Sequence, residues 1–360
     1  MRAGRMRARD VEIVAPNLKR RLSGVTSTIV QLLPLQAHRH AIASFGPDVL
    51  PPSVPRLPYR ALAGLWRRPA GRARRIWHAR RNTEMLLGLV LRDLLRMPLR
   101  LLFTSAAQRR HTAWTRFLIG RMDAVVATSG RSAAFLERPA TVVMHGIDLT
   151  AFTPDGPPPA GPVVEALAGR RIVGCSGRIR HQKGTDLFVE AMIALLPRHV
   201  GWTAVVTGRT TAEHAAFEAA LKARIADAGL SDRIVFVGEV DDIAAWFRRF
   251  DLYVAPPRNE GFGLTPLEAM ASGVPVVASD AGAFRELIRE GVTGAVVAAG
   301  DAKALTAAIE PYLADDALRR TAGAAALAHV RERFPLRREA DELAAVYARL
   351  FAMDDAGGAT

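Results

Sequence analysis

The stretch RNEGFGLTPLEAMASG carries two carboxylates, Glu260 and Glu268, eight positions apart around a turn that contains Gly261 and Gly263. Two acids this close in sequence can serve as the acid and nucleophile of a glycosidase, or they can accept hydrogen bonds from the hydroxyls of a sugar and a ribose. The glycines favour the second use, because they let backbone N–H groups approach a ligand at the start of a helix. Local structure offers a plainer account of one acid. Thr265, Pro266 and Glu268 match a capping box, with Thr at the cap, Pro at the first helical position and Glu three beyond the cap. Earlier in the chain GRIRHQKG supplies cations: a strand ends at Gly177, and Arg178 and Lys183 flank the turn that follows. Two fixed positive charges at such a turn suit a diphosphate. A glycosidase would leave both without a role. No Asp-x-Asp pair or His/Cys cluster stands ready to hold a divalent ion, so no metal and no other cofactor is expected.

These loops need strands behind them, and the chain has that pattern. Short β-branched runs alternate with helix-patterned segments: VEIVAP before GVTSTIVQLL, LRLLFTS before TAWTRFLIGRM, DAVVATS before RSAAFL, then ATVVMHG. After the breaker TPDGPPPAGP the rhythm restarts with RIVGCSG, TAVVTG, RIVFVG, DLYVAP, VPVVAS and GAVV. The expected class is α/β, with two doubly wound Rossmann-like domains, residues 1–155 and 156–335, facing across a cleft, and a last helix in 336–360. A chain of 360 residues, 49% apolar and 23% charged, suits two such domains. The single cysteine, Cys175, excludes an internal disulfide and, inside an apolar run, reads as a buried inert thiol.

The net charge of +14 is unevenly shared. The first 155 residues hold 26 Lys and Arg against 9 Asp and Glu, a balance of +17, whereas the remaining 205 hold 23 against 26, a balance of −3. The basic half is expected to face something anionic. Within it, Trp66, Arg67, Arg68, Arg72, Arg74, Arg75 and Trp77 interleave cations with indoles. That suits an anionic lipid surface, or else a solvated surface with two partly buried indoles. No apolar run is long enough for a signal peptide or a membrane span. The expected location is cytoplasmic, peripheral on the inner face of the membrane. A binding protein without chemistry is the rival reading, but no helix-turn-helix, zinc or RNA-binding motif accompanies the charge, and no nucleic-acid partner is expected.

GRIRHQKG followed by EGFGLTPLEAMASGVPVVASDAGAFRELIREGVTG resembles the donor-binding half of the retaining glycosyltransferases of family four, which have the two-domain GT-B fold. The resemblance implies that Arg178 and Lys183 neutralise the donor diphosphate, and that Gly177 and the amides of Gly261, Phe262, Gly263 and Leu264 approach phosphate and sugar. It implies that Glu260 holds the donor sugar, Glu268 the ribose, and that the base packs near GEVDDI. In the first half, APNLKRRLSGVTSTIVQLLPLQ, the segment from WHARRN to TRFL, and ATVVMHGID are similar to the lipopolysaccharide-core mannosyltransferases of Gram-negative bacteria. That similarity implies GDP-mannose as the nucleotide sugar and a lipid-linked anionic saccharide, Kdo-bearing lipid A, as acceptor. Another nucleotide sugar or lipid-linked acceptor is the alternative. Gly24 then matches the glycine after the first strand, and the last helix is expected to return to the first domain. Where many relatives place an active-site histidine this chain has Thr104 or Ser105, and the pair before the hinge is His145-Gly146, so His78 and His145 receive no role. Arg20, Arg21 and His111 are the candidates for binding the acceptor.

Overall fold

The computed structural model describes residues 6–19, 24–47, 50 and 52–355. The chain divides into two compact units, one made of Met1–Gly146 with Leu336–Thr360, the other of Ile147–Pro335.

The first unit holds six strands, β1 (Ile13–Pro16), β2 (Ile42–Phe45), β3 (Arg75–Ala79), β4 (Leu99–Ser105), β5 (Ala124–Ala127) and β6 (Thr141–Val142). They form a parallel sheet in the order β2-β1-β3-β4-β5-β6. The second unit repeats the plan with β7 (Arg171–Ser176), β8 (Trp202–Thr207), β9 (Ile234–Gly238), β10 (Leu252–Ala255), β11 (Val276–Ser279) and β12 (Gly294–Val297), ordered β12-β11-β10-β7-β8-β9. Helices cover both faces of such sheets, so the strands are buried on both sides and read as short apolar runs. The order reverses between β1 and β3 in one sheet and between β7 and β10 in the other. Ligands of doubly wound sheets collect beyond the carboxyl ends of the strands at these reversals. In the second unit the reversal brings together the loops after Ser176 and Ala255, which carry Arg178, Lys183 and Glu260.

Two of these strands, β2 and β3, are absent from the sequence reading. Arg75 and Trp77, expected on a basic surface, are instead fully buried on β3. Arg75 Nε donates to the Val11 carbonyl at 2.9 Å, and its terminal nitrogens reach Leu65 O at 3.0 Å and Ala8 O at 2.9 Å. A guanidinium with five donors is tolerated inside when carbonyls outside the sheet ladder take them up. The Trp77 indole donates to Glu84 O at 2.9 Å. Trp66, Arg67, Arg68 and Arg74 are exposed.

The helix Leu336–Asp355 packs Leu343, Val346, Tyr347 and Leu350 into one cluster with Ile29, Leu33 and Ile76 of the first unit. Residues 147–155, assigned to the first domain on the proline-rich linker, belong to the second unit. Ile147 bridges Pro335, its N–H donates to Phe334 O at 2.8 Å, and Phe152 packs edge-on against Phe247.

Candidate active site

In the second unit the loop after β7 is pinned to the loop after β10. Arg258 grips Asp186 with two hydrogen bonds of 2.8 and 2.7 Å, donates to His181 O at 2.7 Å, and its backbone N–H donates to Gln182 O at 2.9 Å. Burial would push the Asp186 carboxyl up, but the forked contact with Arg258 holds it below the usual carboxylate range. Gly184 makes the approach possible: at φ +72°, a Cβ there would lie 1.9 Å from the Pro256 carbonyl oxygen. The result is an ion pair between Lys183 and Glu260, the cation of one motif against the acid of the other. Glu260 Oε1 also accepts from the Gly261 N–H at 3.1 Å. Gly263 holds φ +84°, and a Cβ there would meet the Phe284 ring at 2.2 Å. A small cavity at this point is lined by Gly177, Lys183, Thr185, Tyr253, Glu260 and Thr265, among others.

Glu268 has a different setting. The helix is Thr265–Ala271, its cap residue is Leu264, and no side chain caps it. The capping box is therefore not formed. Thr265 is the first helical residue and Pro266 the second, so neither takes the role the spacing suggested. The Glu268 carboxylate makes no hydrogen bond or ion pair among the described residues, and burial pushes its carboxyl up to about 7. A half-buried acid with no protein partner has its oxygens available to a ligand's donors. Arg178 is exposed and unpaired among the described residues. The GEVDDI segment lines a cavity of about 410 Å³ with residues 158–164 and Trp246. Cys175 lies below, buried, with its thiol pushed up to about 12 by burial, which makes it inert.

In the first unit a polar cluster sits at the carboxyl end of β3 and β4. His78 bonds Tyr347 Oη through Nδ1 at 2.8 Å and Thr104 Oγ1 through Nε2 at 2.7 Å. Burial, followed by the charge of Arg80, pulls its pKa well below the usual histidine range, so the imidazole is neutral. His145 Nδ1 lies 2.8 Å from Glu339 Oε1, and Glu339 Oε2 accepts the Gly146 N–H at 2.9 Å. Thr28, His78, Arg80, Thr104, His145 and Glu339 line one small cavity.

The group 1 glycosyltransferase family model matches residues 170–315. Over 340 residues the chain is 64% identical to the lipopolysaccharide core biosynthesis mannosyltransferase LpcC of Rhizobium leguminosarum bv. viciae, spanning 94% of this chain and 96% of that protein. The chain belongs to the lipopolysaccharide core mannosyltransferases, a branch of the group 1 glycosyltransferases. Its class of activity is therefore glycosyl transfer. A second member of this family, LpsB of Rhizobium meliloti strain 1021, is 56% identical over 348 residues, 95% of this chain and 98% of that one. The fold has the GT-B form of solved glycosyltransferases. Anabaena HepE in complex with UDP superposes with a TM-score of 0.80 at 18% identity, over 94% of this chain and 100% of that one. Sucrose-phosphate synthase from Thermosynechococcus elongatus gives 0.76 at 21% identity, over 96% and 100%.

Of the residues singled out in the sequence, the structure gathers Gly177, Lys183 and Glu260 in one cavity, with the 261–264 loop beside them. Phe262 is a buried support whose carbonyl accepts the Ala283 N–H at 3.0 Å. Gly24 opens the helix Gly24–Ala37. Arg20 and Arg21 lie outside the described residues. His111 lines a separate cavity of about 140 Å³ with Arg116, Phe135 and Arg138, so it does not join Thr104 and His145. Ser105 is buried and turned to the local backbone, accepting from Ala107 N–H at 3.4 Å. The sequence reading did not assemble the His78–Thr104–Tyr347 cluster, whose members come from two strands and the last helix.

Proposed function

We infer that this protein transfers mannose from GDP-mannose, with retention at the anomeric carbon, to a Kdo-bearing lipid A acceptor at the cytoplasmic face of the membrane. The observation that carries the reading is the Lys183–Glu260 ion pair at the reversal of the second sheet, beside an unpartnered Glu268. When the donor enters, its diphosphate takes Lys183 and the exposed Arg178 as partners, and Glu260 turns from Lys183 to hydroxyls of the sugar. Glu268 accepts from the ribose. As the bond from the anomeric carbon to the diphosphate oxygen breaks, the acceptor hydroxyl bonds to the same face of that carbon. Its proton passes to the departing phosphate oxygen. Arg178 and Lys183 supply the charge neutralisation that a divalent ion gives elsewhere. The relatives named as lipopolysaccharide core mannosyltransferases support mannose as the sugar and the core as the product. No helix among the described residues is long and apolar enough to cross a membrane, which fits a peripheral location.

The test is a donor and acceptor matrix: GDP- and UDP-sugars against Kdo-lipid A and lipid A lacking Kdo, followed by mass spectrometry. One added hexose is expected only from GDP-mannose on Kdo-lipid A. Transfer to lipid A without Kdo, or a preference for a UDP-sugar, overturns the assignment of that substrate.

A further inference from the structure

The exposed apolar side chains of the protein are concentrated in one place. Of the fourteen large ones exposed among the described residues, six fall on two neighbouring helices of the first unit and the turn that continues one of them. The helix Asn82–Leu89 continues into a π turn, Val90–Leu94, and is tied to the helix Ala113–Gly120 by Asn82 Nδ2 donating to Thr115 Oγ1 at 2.8 Å. Leu86, Val90 and Leu94 recur every fourth residue, which puts them along one side, and Leu94 is 72% exposed. On the second helix Trp114 and Phe117 stack with ring centroids 5.7 Å apart, both more than half exposed. The Trp66 indole donates to Leu95 O at 2.7 Å and extends the ridge past Leu94.

At that end lies a cavity of about 740 Å³ with arginines at positions 68, 74, 92, 96 and 100 in its wall. Its acids are already engaged: Asp123 pairs with Arg92 at 2.9 Å and Arg100 at 3.0 Å, Asp93 with Arg92 at 2.6 Å, and Asp354 with Arg74 at 3.5 Å. Arg68 and Arg96 make no ion pair among the described residues. Arg96 also holds φ +53°, the one positive value outside glycine among those residues. That angle belongs to the turn that ends the helix, where the Met97 N–H returns to Leu91 O at 2.9 Å, and it leaves the Arg96 side chain in the wall of the cavity.

We propose that this side of the first unit docks on a bilayer containing anionic phospholipid, with Leu94, Trp114 and Phe117 entering the headgroup–acyl boundary and a lipid phosphate seated between Arg68 and Arg96. Apolar side chains bordered by an excess of arginine over acid, with indoles among them, match the layering of an anionic membrane surface. An apolar protein partner would leave the arginines unmatched. The inference rests on the peripheral-membrane part of the proposed function. It adds the surface: the helix that begins at Asn82 starts just after the carboxyl end of β3, so a bilayer along it reaches the end of the sheet where an acceptor would be read.

The experiment uses the full chain and acceptor-free vesicles of phosphatidylglycerol or phosphatidylcholine, with bound protein measured by sedimentation. Binding to phosphatidylglycerol, weakened by salt, and little binding to phosphatidylcholine are expected. Arg96→Gly removes the charge while suiting the backbone angle, so its melting temperature should hold or rise. Combined with Arg68→Gln it should lower partitioning about 30-fold, near fivefold per charge. Leu94→Glu with Phe117→Glu should abolish it. Millimolar glycerol phosphate should not release the protein; release would show a site for free phosphate esters and overturn the bilayer as occupant. Wild-type partitioning by either double variant, or equal binding to both lipids, also overturns the proposal. Transfer to a deacylated, soluble acceptor is measured in parallel. Variants that keep that rate but lose vesicle binding support docking, whereas a wild-type protein that binds vesicles but transfers nothing sinks only the substrate assignment.

Discussion

Replacing Glu268 by glutamine should move stability and nucleotide affinity in opposite directions. In the unfolded chain the carboxyl titrates near its ordinary value of 4.5, and in the folded protein burial raises it to about 7. Between those values the native state binds the proton more tightly, so this group's contribution favours folding at low pH and declines as pH rises toward 7. Above 7 the loss is complete. The full difference corresponds to about 3.4 kcal/mol, and water reaching the partly accessible side chain reduces it to about 2 kcal/mol. Glu268→Gln should therefore unfold later than wild type by about 2 kcal/mol at alkaline pH, and no later near pH 4. Nucleotide binding should go the other way. Ribose hydroxyls donating to the carboxylate favour its charged form, so GDP binding near pH 6 should expel a proton, seen as a calorimetric enthalpy that depends on the buffer's ionisation heat. The release should vanish at alkaline pH and at every pH in Glu268→Gln, together with a ten- to hundredfold weaker dissociation constant, about 1.4–2.8 kcal/mol. A variant no more stable than wild type at alkaline pH, with unchanged proton release, refutes the account of an unpartnered, half-buried acid. One that unfolds earlier at all pH values restores the capping role that the helix geometry denies.

Arg178→Ala and Lys183→Ala should each lower mannosyl transfer by at least about a hundredfold in steady-state assays, with chelators having no effect. Near-normal rates in both would show that the leaving diphosphate is held elsewhere. Gly263→Ala, which drives a methyl into the Phe284 ring, should cost more than about 1 kcal/mol in denaturant titrations and abolish donor binding. Tyr347→Phe leaves His78 Nδ1 without its partner and should lower stability by about 1–3 kcal/mol. His111→Ala should change transfer to Kdo-lipid A by less than about threefold, since that side chain lines another cavity.

The alternation of apolar runs and helical segments made most strands legible, because parallel strands buried on both faces need little besides β-branched and small side chains. β3 escaped for a physical reason. Its sequence RIWHA opens with an arginine and contains a histidine, and only the tertiary structure shows that both are buried with their polar atoms matched, Arg75 by carbonyls and His78 by Thr104 and Tyr347. The candidate donor-site residues were readable as neighbours because each motif is local: the cations follow β7, the acids follow β10, and topology alone sets the two loops side by side. Thr265 misled because cap spacing is a local signal, whereas the folded helix begins at Thr265 itself and leaves Leu264 at the cap. The histidine cluster of the first unit could not be read at all, since His78 and Tyr347 are 269 positions apart.

The return of the helix Leu336–Asp355 to the first unit imposes an order on biosynthesis. The second unit is continuous in sequence, so all of it is available to fold as soon as residue 335 has cleared the ribosome. The first unit emerges earlier but lacks Leu343, Val346, Tyr347 and Leu350, which close one of its hydrophobic clusters, and Glu339, which fastens His145 and Gly146. Throughout synthesis of the second unit, the more basic half of the nascent chain waits with an open apolar seam, exposed to chaperones. A stop codon in the last helix would accordingly damage the half of the protein made first.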